Sequence, residues 1–296
     1  MSIGAQFRSG KGAGDENFPV ASLLIARRHR PIIHAFYEFV RIADDIADHP
    51  AMSPPEKIAR LDRLEANLLG HGDDEPAAIA LREGLRLRGL APWHAQCLLR
   101  AFRQDATKNR YADWDELIEY CRSSAMPVGR FVLDVHGESR AAWPESDALC
   151  AALQIINHLQ DCADDYRKLD RVYVPLDALS VYGLGVEALG EARASPALVN
   201  CLHGLAARTG FLLEQSRPLP ALVADSRLAM EISAIQLLAN RLVAILRARD
   251  PLSERVHLNK SEMLATGIAG AALGLSRWLF MRTAPVSPAA GGREST

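Results

Sequence analysis

Apolar residues recur at helical spacing along most of this 296-residue chain, and runs of alternating β-branched residues are few. This periodicity predicts an all-α fold. Segments rich in proline and glycine separate the helical blocks, at 49–56, 70–76, 88–93, 139–146, 174–185 and 216–220. Apolar residues stay frequent from residue 18 to residue 281 with no long flexible linker, so a single domain is predicted.

Composition narrows the class of protein further. Hydrophobic residues make up 49% of the chain, enough for a large core, and the formal net charge of −2 offers no polycation for nucleic acid. The five cysteines show no C-x-x-C spacing, which argues against a disulfide framework or a zinc knuckle. Because the N-terminus lacks the long apolar run of a signal peptide, we expect a cytoplasmic protein.

An acidic patch, RIADDIAD, ends a predicted helix that runs from Pro31 to about Asp48. Asp44 and Asp48 are i,i+4 neighbours, so their like charges repel each other on one helix face. Acidic groups at this end of a helix also meet the negative pole of the helix dipole. A bound divalent cation would offset both costs.

A second acidic patch lies in the segment QIINHLQDCADDYRKLDRVYVP. Asn157, Asp161 and Asp165 follow one another at i,i+4 and predict a polar stripe along one helix, with Gln154 one turn earlier and Asp164 beside it. Apolar neighbours pack this helix against a partner, so the stripe is expected to face more than bulk water. The side chains of Asp and Asn offer only oxygen ligands here, and such a ligand set suits Mg²⁺, which Mn²⁺ can replace.

Each patch alone is more simply explained as an ordinary solvated helix surface, because acidic i,i+4 pairs are common on exposed helices. The two patches together favour metal binding, because each has basic residues nearby: Arg41 in the first and Arg167, Lys168 and Arg171 in the second. Two aspartate helices that face each other across a cavity would hold a Mg²⁺ cluster that grips a diphosphate. The basic residues would complete the anion site.

The two patches and the segment between them resemble the squalene/phytoene synthase family. Its D-x-x-x-D element is matched by Asp44 and Asp48, preceded by Tyr37 and Arg41. Its Q-x-x-N-x-x-x-D-x-x-x-D element, followed by R-x-Y-x-P, is matched by Gln154, Asn157, Asp161, Asp165, Arg171, Tyr173 and Pro175. The segment DATKNRYADWDELIEYCRSSAMPVG is similar to the family's central region, including Arg110, Tyr111, Tyr120 and the turn from Ala125 to Gly129.

The resemblance extends from Asp15 to about Lys260 and implies a single-domain, isoprenoid-synthase-type helical bundle around a central cavity. The catalytic domain would span residues 15–282, after a flexible segment 1–14 and before a disordered tail 283–296. The implied metal ligands are Asp44, Asp48, Asn157, Asp161 and Asp165, and the implied catalytic set adds Tyr37, Arg41 and Tyr173. The implied substrate contacts are Asn17, Arg41, Arg110, Tyr120, Gln154, Asn157, Arg171 and Lys260. Candidates for stabilising a carbocation with aromatic faces are Tyr37, Phe39, Tyr120 and Phe131.

Two departures from the common family pattern indicate a branch. The segment DENFPVAS replaces a serine-rich one, and Gln160 stands where many members carry arginine before the first aspartate of the second element. The first is similar to the bacterial hopanoid branch that makes hydroxysqualene from presqualene diphosphate. The lost charge at Gln160 is expected to weaken binding of one diphosphate, as in an enzyme that takes one diphosphate substrate instead of two. The implied reaction depends on Mg²⁺ and releases diphosphate, and no nicotinamide cofactor is expected.

Other functions stay open at this point. Within the family, the alternatives are presqualene diphosphate synthase and phytoene synthase. The non-enzyme alternative is a family relative that has lost catalysis and serves as a scaffold. A ferritin-like di-iron protein would need two E-x-x-H elements, and the sequence offers only Glu254 to His257. The expected partners are a prenyl diphosphate substrate and the pathway enzymes upstream and downstream.

The longest uncharged apolar run covers residues 263–276, and its 14 residues fall short of the roughly 20 that cross a bilayer. It predicts a buried helix, or one that touches a membrane without crossing it. The flanking Arg277, Trp278 and Phe280 favour peripheral contact with the inner face of the cell membrane. Gly270 and Gly274 within the run predict tight packing against another helix.

Overall fold

The computed structural model describes residues 24–283. This part of the chain forms thirteen α-helices: α1 (Arg30–Ala47), α2 (Pro54–Leu68), α3 (Pro76–Arg88), α4 (Trp93–Asp105), α5 (Trp114–Ser124), α6 (Met126–His136), α7 (Trp143–Gln160), α8 (Cys162–Leu169), α9 (Leu176–Val181), α10 (Pro196–Ser216), α11 (Leu219–Leu222), α12 (Ser226–Leu246) and α13 (Lys260–Thr283). Between residues 24 and 283 the only β-type pairing is a single bridge between Arg110 and Val172. The all-α prediction is confirmed.

Local sequence accounts for many helix ends. Ser53 and Glu56 form a capping box that starts α2, and the Ser53 backbone N–H donates to Glu56 Oε2 at 2.8 Å. Gly89 and Gly137 end α3 and α6 in left-handed geometry, with φ of 63° and 71°. The predicted break at 139–146 is shorter in the structure, because Pro144 sits in the first turn of α7, where proline is tolerated.

The helices pack around two groups of buried side chains. We call the first core cluster the group around α1–α4, with Phe36, Leu64 and Leu98, which also takes Phe131 from α6. The second core cluster is centred on α5, α7, α10 and α12 and includes Ile156 and Leu202. Since α1 belongs to one cluster and α7 to the other, the two acidic patches lie on different halves of the protein.

A cavity of about 300 Å³ lies between these halves and confirms the implied central cavity. It is almost wholly apolar, and its walls include Phe36 and Tyr37 of α1, Phe131 and Val132 of α6, Leu149 and Leu153 of α7, and Ile232 and Ile235 of α12. Gly129 on α6 permits close contact with α7, because a Cβ atom there would lie 2.4 Å from Ser146 Oγ and 2.6 Å from Cys150 Sγ.

The last two long helices pack closely together. A Cβ on Gly270 would lie 2.6 Å from Ala234 Cα, and one on Gly274 would lie 2.8 Å from the Ala229 carbonyl oxygen. The predicted tight packing at these glycines is therefore confirmed. Of the two alternatives predicted for residues 263–276, the buried helix holds only for the face that carries these glycines, because Leu264 and Ile268 on the opposite face are exposed. Only the face of α13 that carries the glycines is buried, because most of the packing against α13 comes from α12.

Two of the helices are long and apolar enough to cross a membrane by length and composition alone. They are Ser226–Leu246, 61% buried within the protein, and Lys260–Phe280, 22% buried. Some sequence predictions lie outside the described residues: the segment 1–14, Asn17, the DENFPVAS motif and the tail after Thr283, which is the last residue of α13.

Candidate active site

The first acidic patch occupies the last turns of α1. Asp44 and Asp45 lie inside the helix, and Asp48 caps it with its backbone N–H donating to the Asp44 carbonyl. Arg41 forms ion pairs with Asp44 Oδ2 at 2.8 Å and with Asp45 Oδ1 at 3.2 Å. Tyr37, Arg41, Asp44 and Asp48 are three or four residues apart, so they lie on successive turns of one helix face.

The second acidic patch is divided between two helices, whereas the sequence predicted one. Helix α7 ends at Gln160 and α8 begins at Cys162, and the backbone leaves helical geometry at Asp161, with φ of −100° and ψ of 6°. The Asp161 N–H still donates to the Asn157 carbonyl at 2.9 Å, and the Asp165 N–H to the Asp161 carbonyl at 2.8 Å. The polar residues therefore keep their i,i+4 relation across the break.

Arg171 connects the two patches directly. Its Nη1 lies 2.6 Å from Asp48 Oδ1, and its Nη2 donates to the Ala47 carbonyl at 3.1 Å. The backbone holds Arg171 in place, because Asp170 adopts a left-handed φ of 52° and the next residue, Val172, donates to the Asn109 carbonyl at 2.8 Å. Residues 123 positions apart in sequence are thus in contact at one site.

The carboxylates of the two patches perturb each other. Desolvation and the neighbouring Asp48 raise the pKa of Asp44 to about 7, although Arg41 acts in the opposite direction. Desolvation, Asp161 and Asp48 raise the pKa of Asp165 to about 7, against the influence of Arg171. The influence of Asp48 on Asp165 places the two patches within electrostatic reach. The site has more negative charge than its arginines neutralise.

This donor set fits Mg²⁺. Carboxylates and an amide from two separate elements offer oxygen ligands, and their mutual repulsion is relieved when a cation binds. Asp44, Asp48, Asn157, Asp161 and Asp165 are the residues that would hold it.

A buried polar network under the site was missed by the sequence predictions. Asp105, the last residue of α4, accepts hydrogen bonds from the hydroxyls of Tyr120 at 2.8 Å and Tyr173 at 3.2 Å. Burial raises the pKa of Asp105 to about 6, although Arg171 lowers it. The Tyr173 ring stacks on His158, with centroids 3.5 Å apart. The available signal was an acid that ends an apolar helix and opens the quoted central segment.

The apolar cavity and the carboxylates lie along the same helices. On α1, Tyr37 lines the cavity and Asp44 and Asp48 follow two and three turns later. On α7, Leu153 lines the cavity and Asn157 follows one turn later. The arrangement is an apolar cavity with carboxylates along the same helices, which suits a molecule with an apolar chain and a diphosphate head that a cation could bridge to those carboxylates.

The remaining predicted residues have varied surroundings. Gln154 Nε2 lies 3.1 Å from His158 Nε2, and Arg110 Nη2 pairs with Asp170 at 2.6 Å. Lys260 opens α13 beside a separate hollow that also contains Arg249, Arg255 and His257. Among the aromatic candidates, Tyr37 and Phe131 line the cavity, whereas Phe39 is fully buried in the first core cluster and Tyr120 bonds to Asp105.

A histidine cluster also lies outside this site. The fold brings donor atoms of His29, His136 and Asp225 within 4.8 Å of one another. Arg28 Nε lies 2.9 Å from one His29 ring nitrogen, and Arg88 Nη1 lies 3.1 Å from the other. Two guanidinium groups on one imidazole oppose cation binding.

Comparisons with known proteins agree with this geometry. The model of a family described as squalene/phytoene synthase matches residues 12–262. The chain is 55% identical to a hydroxysqualene synthase of Rhodopseudomonas palustris, over 97% of this chain and 98% of that protein. It is 52% identical to a hydroxysqualene synthase of Sinorhizobium fredii, over 95% and 97%. A crystal structure of squalene synthase HpnC from Alicyclobacillus acidocaldarius superposes with a TM-score of 0.70 and 32% identity, over 83% of this chain and 92% of that one.

Proposed function

Because this chain belongs to the squalene/phytoene synthase family, on the branch of the hydroxysqualene synthases, we propose that it converts presqualene diphosphate to hydroxysqualene and releases diphosphate. The observation that carries the proposal is the placement of the two acidic patches at the end of the apolar cavity, linked through Arg171 and Asp48. An apolar chain would occupy the cavity while the diphosphate meets the carboxylates through metal ions.

Mg²⁺ bound by the aspartates would supply positive charge to the leaving group as the carbon–oxygen bond breaks. Arg41 and Arg171 would add fixed positive charge beside the same oxygens. Arg171 is positioned for this by its backbone and by Asp48, so it would not need to be ordered by substrate. The bonding electron pair leaves with the diphosphate, and a carbocation stays in the cavity.

The cavity residues would control what happens to that cation. Tyr37 and Phe131 line the wall, so their aromatic rings would be available to a cation, and the Phe131 ring is held by stacking on Phe36 at a centroid distance of 3.9 Å. Water adds to the cation through its oxygen and loses a proton, which gives the alcohol. The overall change is a substitution of diphosphate by hydroxyl, so no reductant is consumed.

The test is an incubation of the pure protein and Mg²⁺ with presqualene, farnesyl or geranylgeranyl diphosphate, separately, without a nicotinamide cofactor and in ¹⁸O-labelled water. We expect a labelled C30 alcohol from presqualene diphosphate alone, and no turnover in EDTA. Condensation of farnesyl diphosphate would favour presqualene diphosphate synthase, and phytoene from geranylgeranyl diphosphate would favour carotenoid synthesis. No turnover of any of the three would favour a scaffold.

Two variants test the role of the acidic patches. Asp48→Asn and Asp165→Asn each remove one ligand, and we expect at least a hundredfold loss of kcat, roughly the scale of one electrostatic contact to a leaving group. Asp164→Asn is the matched control, because Asp164 lies in the same helix as Asp165 but is exposed and pairs with Lys168 at 2.8 Å. Circular dichroism should show equal helix content in all three. Full activity of both ligand variants would contradict the assignment.

A further inference from the structure

Helix α13 has an outer face that no other described element covers. We define it by its exposed residues Leu264, Ala265, Ile268, Ala269, Ala272, Leu273, Leu275, Ser276, Leu279 and Phe280. Leu264, Ile268 and Phe280 are 67%, 62% and 74% exposed. No charged residue occurs between Glu262 and Arg277, a length of about 21 Å along the helix.

The shape of this face differs from that of an ordinary surface helix. Leu264, Ile268, Leu275 and Leu279 follow one another at intervals that keep them on one stripe, so their side chains form a continuous apolar surface. Scattered exposed apolar residues need no explanation, but a contiguous patch of this length indicates a binding surface. The opposite face of α13 is also apolar, and there Gly270 and Gly274 bring it against α12.

A helix that is apolar on both sides is suited to a position between protein and lipid. We infer that the outer face of α13 docks onto the surface of a lipid bilayer, with the helix lying in the membrane plane. The inference does not depend on which prenyl diphosphate the protein uses.

The charges at the ends of the helix favour lipid over a second copy of the chain. Lys260 begins α13, Arg277 lies in its last turns, and Arg217 sits beside Phe280 around one surface hollow. These cations suit anionic headgroups at the rim of an inserted apolar face. The one acidic residue near the start, Glu262, accepts from the Asn259 N–H at 2.9 Å as a helix cap. An antiparallel pair of α13 helices would instead bring Lys260 of one copy toward Arg277 of the other.

Docking through this face would leave the central cavity accessible. Helix α12 stands between the two: its Ile232 and Ile235 line the cavity, whereas Ala229 and Ala234 contact the glycines of α13. A change on the outer face should therefore leave turnover of detergent-dispersed substrate unchanged. This separates a failure of membrane docking from a failure of the proposed reaction.

The experiment is flotation of the full-length protein on vesicles of phosphatidylglycerol and phosphatidylethanolamine, without substrate. The test variant is Leu264→Glu with Ile268→Glu. The matched control is Val181→Glu with Phe211→Glu, since Val181 and Phe211 are 79% and 70% exposed on other helices. We expect wild type and control to float, and the test variant to partition at least about tenfold less, because two apolar side chains that would enter the lipid are replaced by carboxylates.

Three results would overturn the inference. One is wild-type protein that stays below the vesicles, as expected if another part of the chain covers the face. Another is equal flotation of the test variant and the control. The third is wild type that sediments as a dimer in buffer while the test variant is a monomer, which would make the face a self-association surface. Equal thermal unfolding of the two variants checks that a loss of flotation is not a loss of fold.

Discussion

The Asp105→Asn variant should become progressively more stable than wild type as the pH rises. Asp105 is buried beneath the acidic patches, and this burial raises its pKa from the ordinary value of 3.8 to about 6. A carboxyl whose pKa is raised on folding stabilises the protein below the unfolded pKa, and this contribution is lost as the pH rises through the folded pKa. Asparagine has nearly the same shape but does not ionise, and its side-chain oxygen and nitrogen can still pair with the hydroxyls of Tyr120 and Tyr173.

The size of the effect follows from the shift. A difference of about two pKa units corresponds to about 3 kcal/mol, present in full above pH 7 and about half developed at pH 5. Asparagine should therefore gain about 1.4 kcal/mol relative to wild type between pH 5 and pH 7.5. Asp165 titrates in both proteins and largely cancels in the difference. Asp105 helps to raise the pKa of Asp44, so removing its charge lowers that pKa and moves the difference in the same direction.

Urea unfolding followed by circular dichroism at several pH values would measure this difference. The control is Asp115→Asn, the same substitution at a side chain that is 95% exposed. The reasoning is refuted if the difference in free energy of unfolding between wild type and Asp105→Asn stays constant with pH or moves in favour of wild type. Such a result would mean that Arg171 and the tyrosines stabilise the ionised form of Asp105 at least as much as burial disfavours it.

Two further predictions concern the packing of α13 against α12 and the role of Gln160 in the branch of the family. Gly270→Val should lower the free energy of unfolding by about 1–3 kcal/mol, because the new side chain meets the backbone of Ala234. The control, Gly267→Ala, should be neutral or stabilising, because there is open space at its Cβ. Thermal unfolding of the two variants and wild type measures the difference. Gln160→Arg should not raise kcat/KM for presqualene diphosphate, because Gln160 is buried and donates to the Val256 carbonyl. A higher kcat/KM of the variant in steady-state assays would contradict this prediction.

The fold class and the acidic patches could be predicted from sequence because both rest on local spacing. Apolar periodicity predicts helices, and the i,i+4 relation among Asn157, Asp161 and Asp165 survives even the break at Asp161. The break itself carries no proline or glycine, so nothing in the sequence signalled it. The contact of Arg171 with Asp48 depends on how two halves of the core pack together, which spacing does not encode.

The missed residues have the same explanation. Asp105 is one acid among 36 acidic residues, and only the burial of Tyr120 and Tyr173 around it shows its importance. Phe39 and Phe131 were equivalent as aromatic candidates, but the fold places Phe131 on the cavity wall and Phe39 in the core. The segment 263–276 was expected to be either buried or in contact with a membrane, and only the three-dimensional packing of α13, mostly against α12, shows which of its faces is exposed.

The division of the acidic patches between two core clusters has an evolutionary consequence. The spacing of the carboxylates depends on how the clusters sit against each other, and the α6–α7 contact at Gly129 is one place where that is set. Displacements of about 1 Å in a catalytic arrangement cost about a hundredfold in rate. Selection for a new product could therefore act through substitutions at such contacts, far from any carboxylate, and relatives that keep every aspartate could still differ in the reaction they perform.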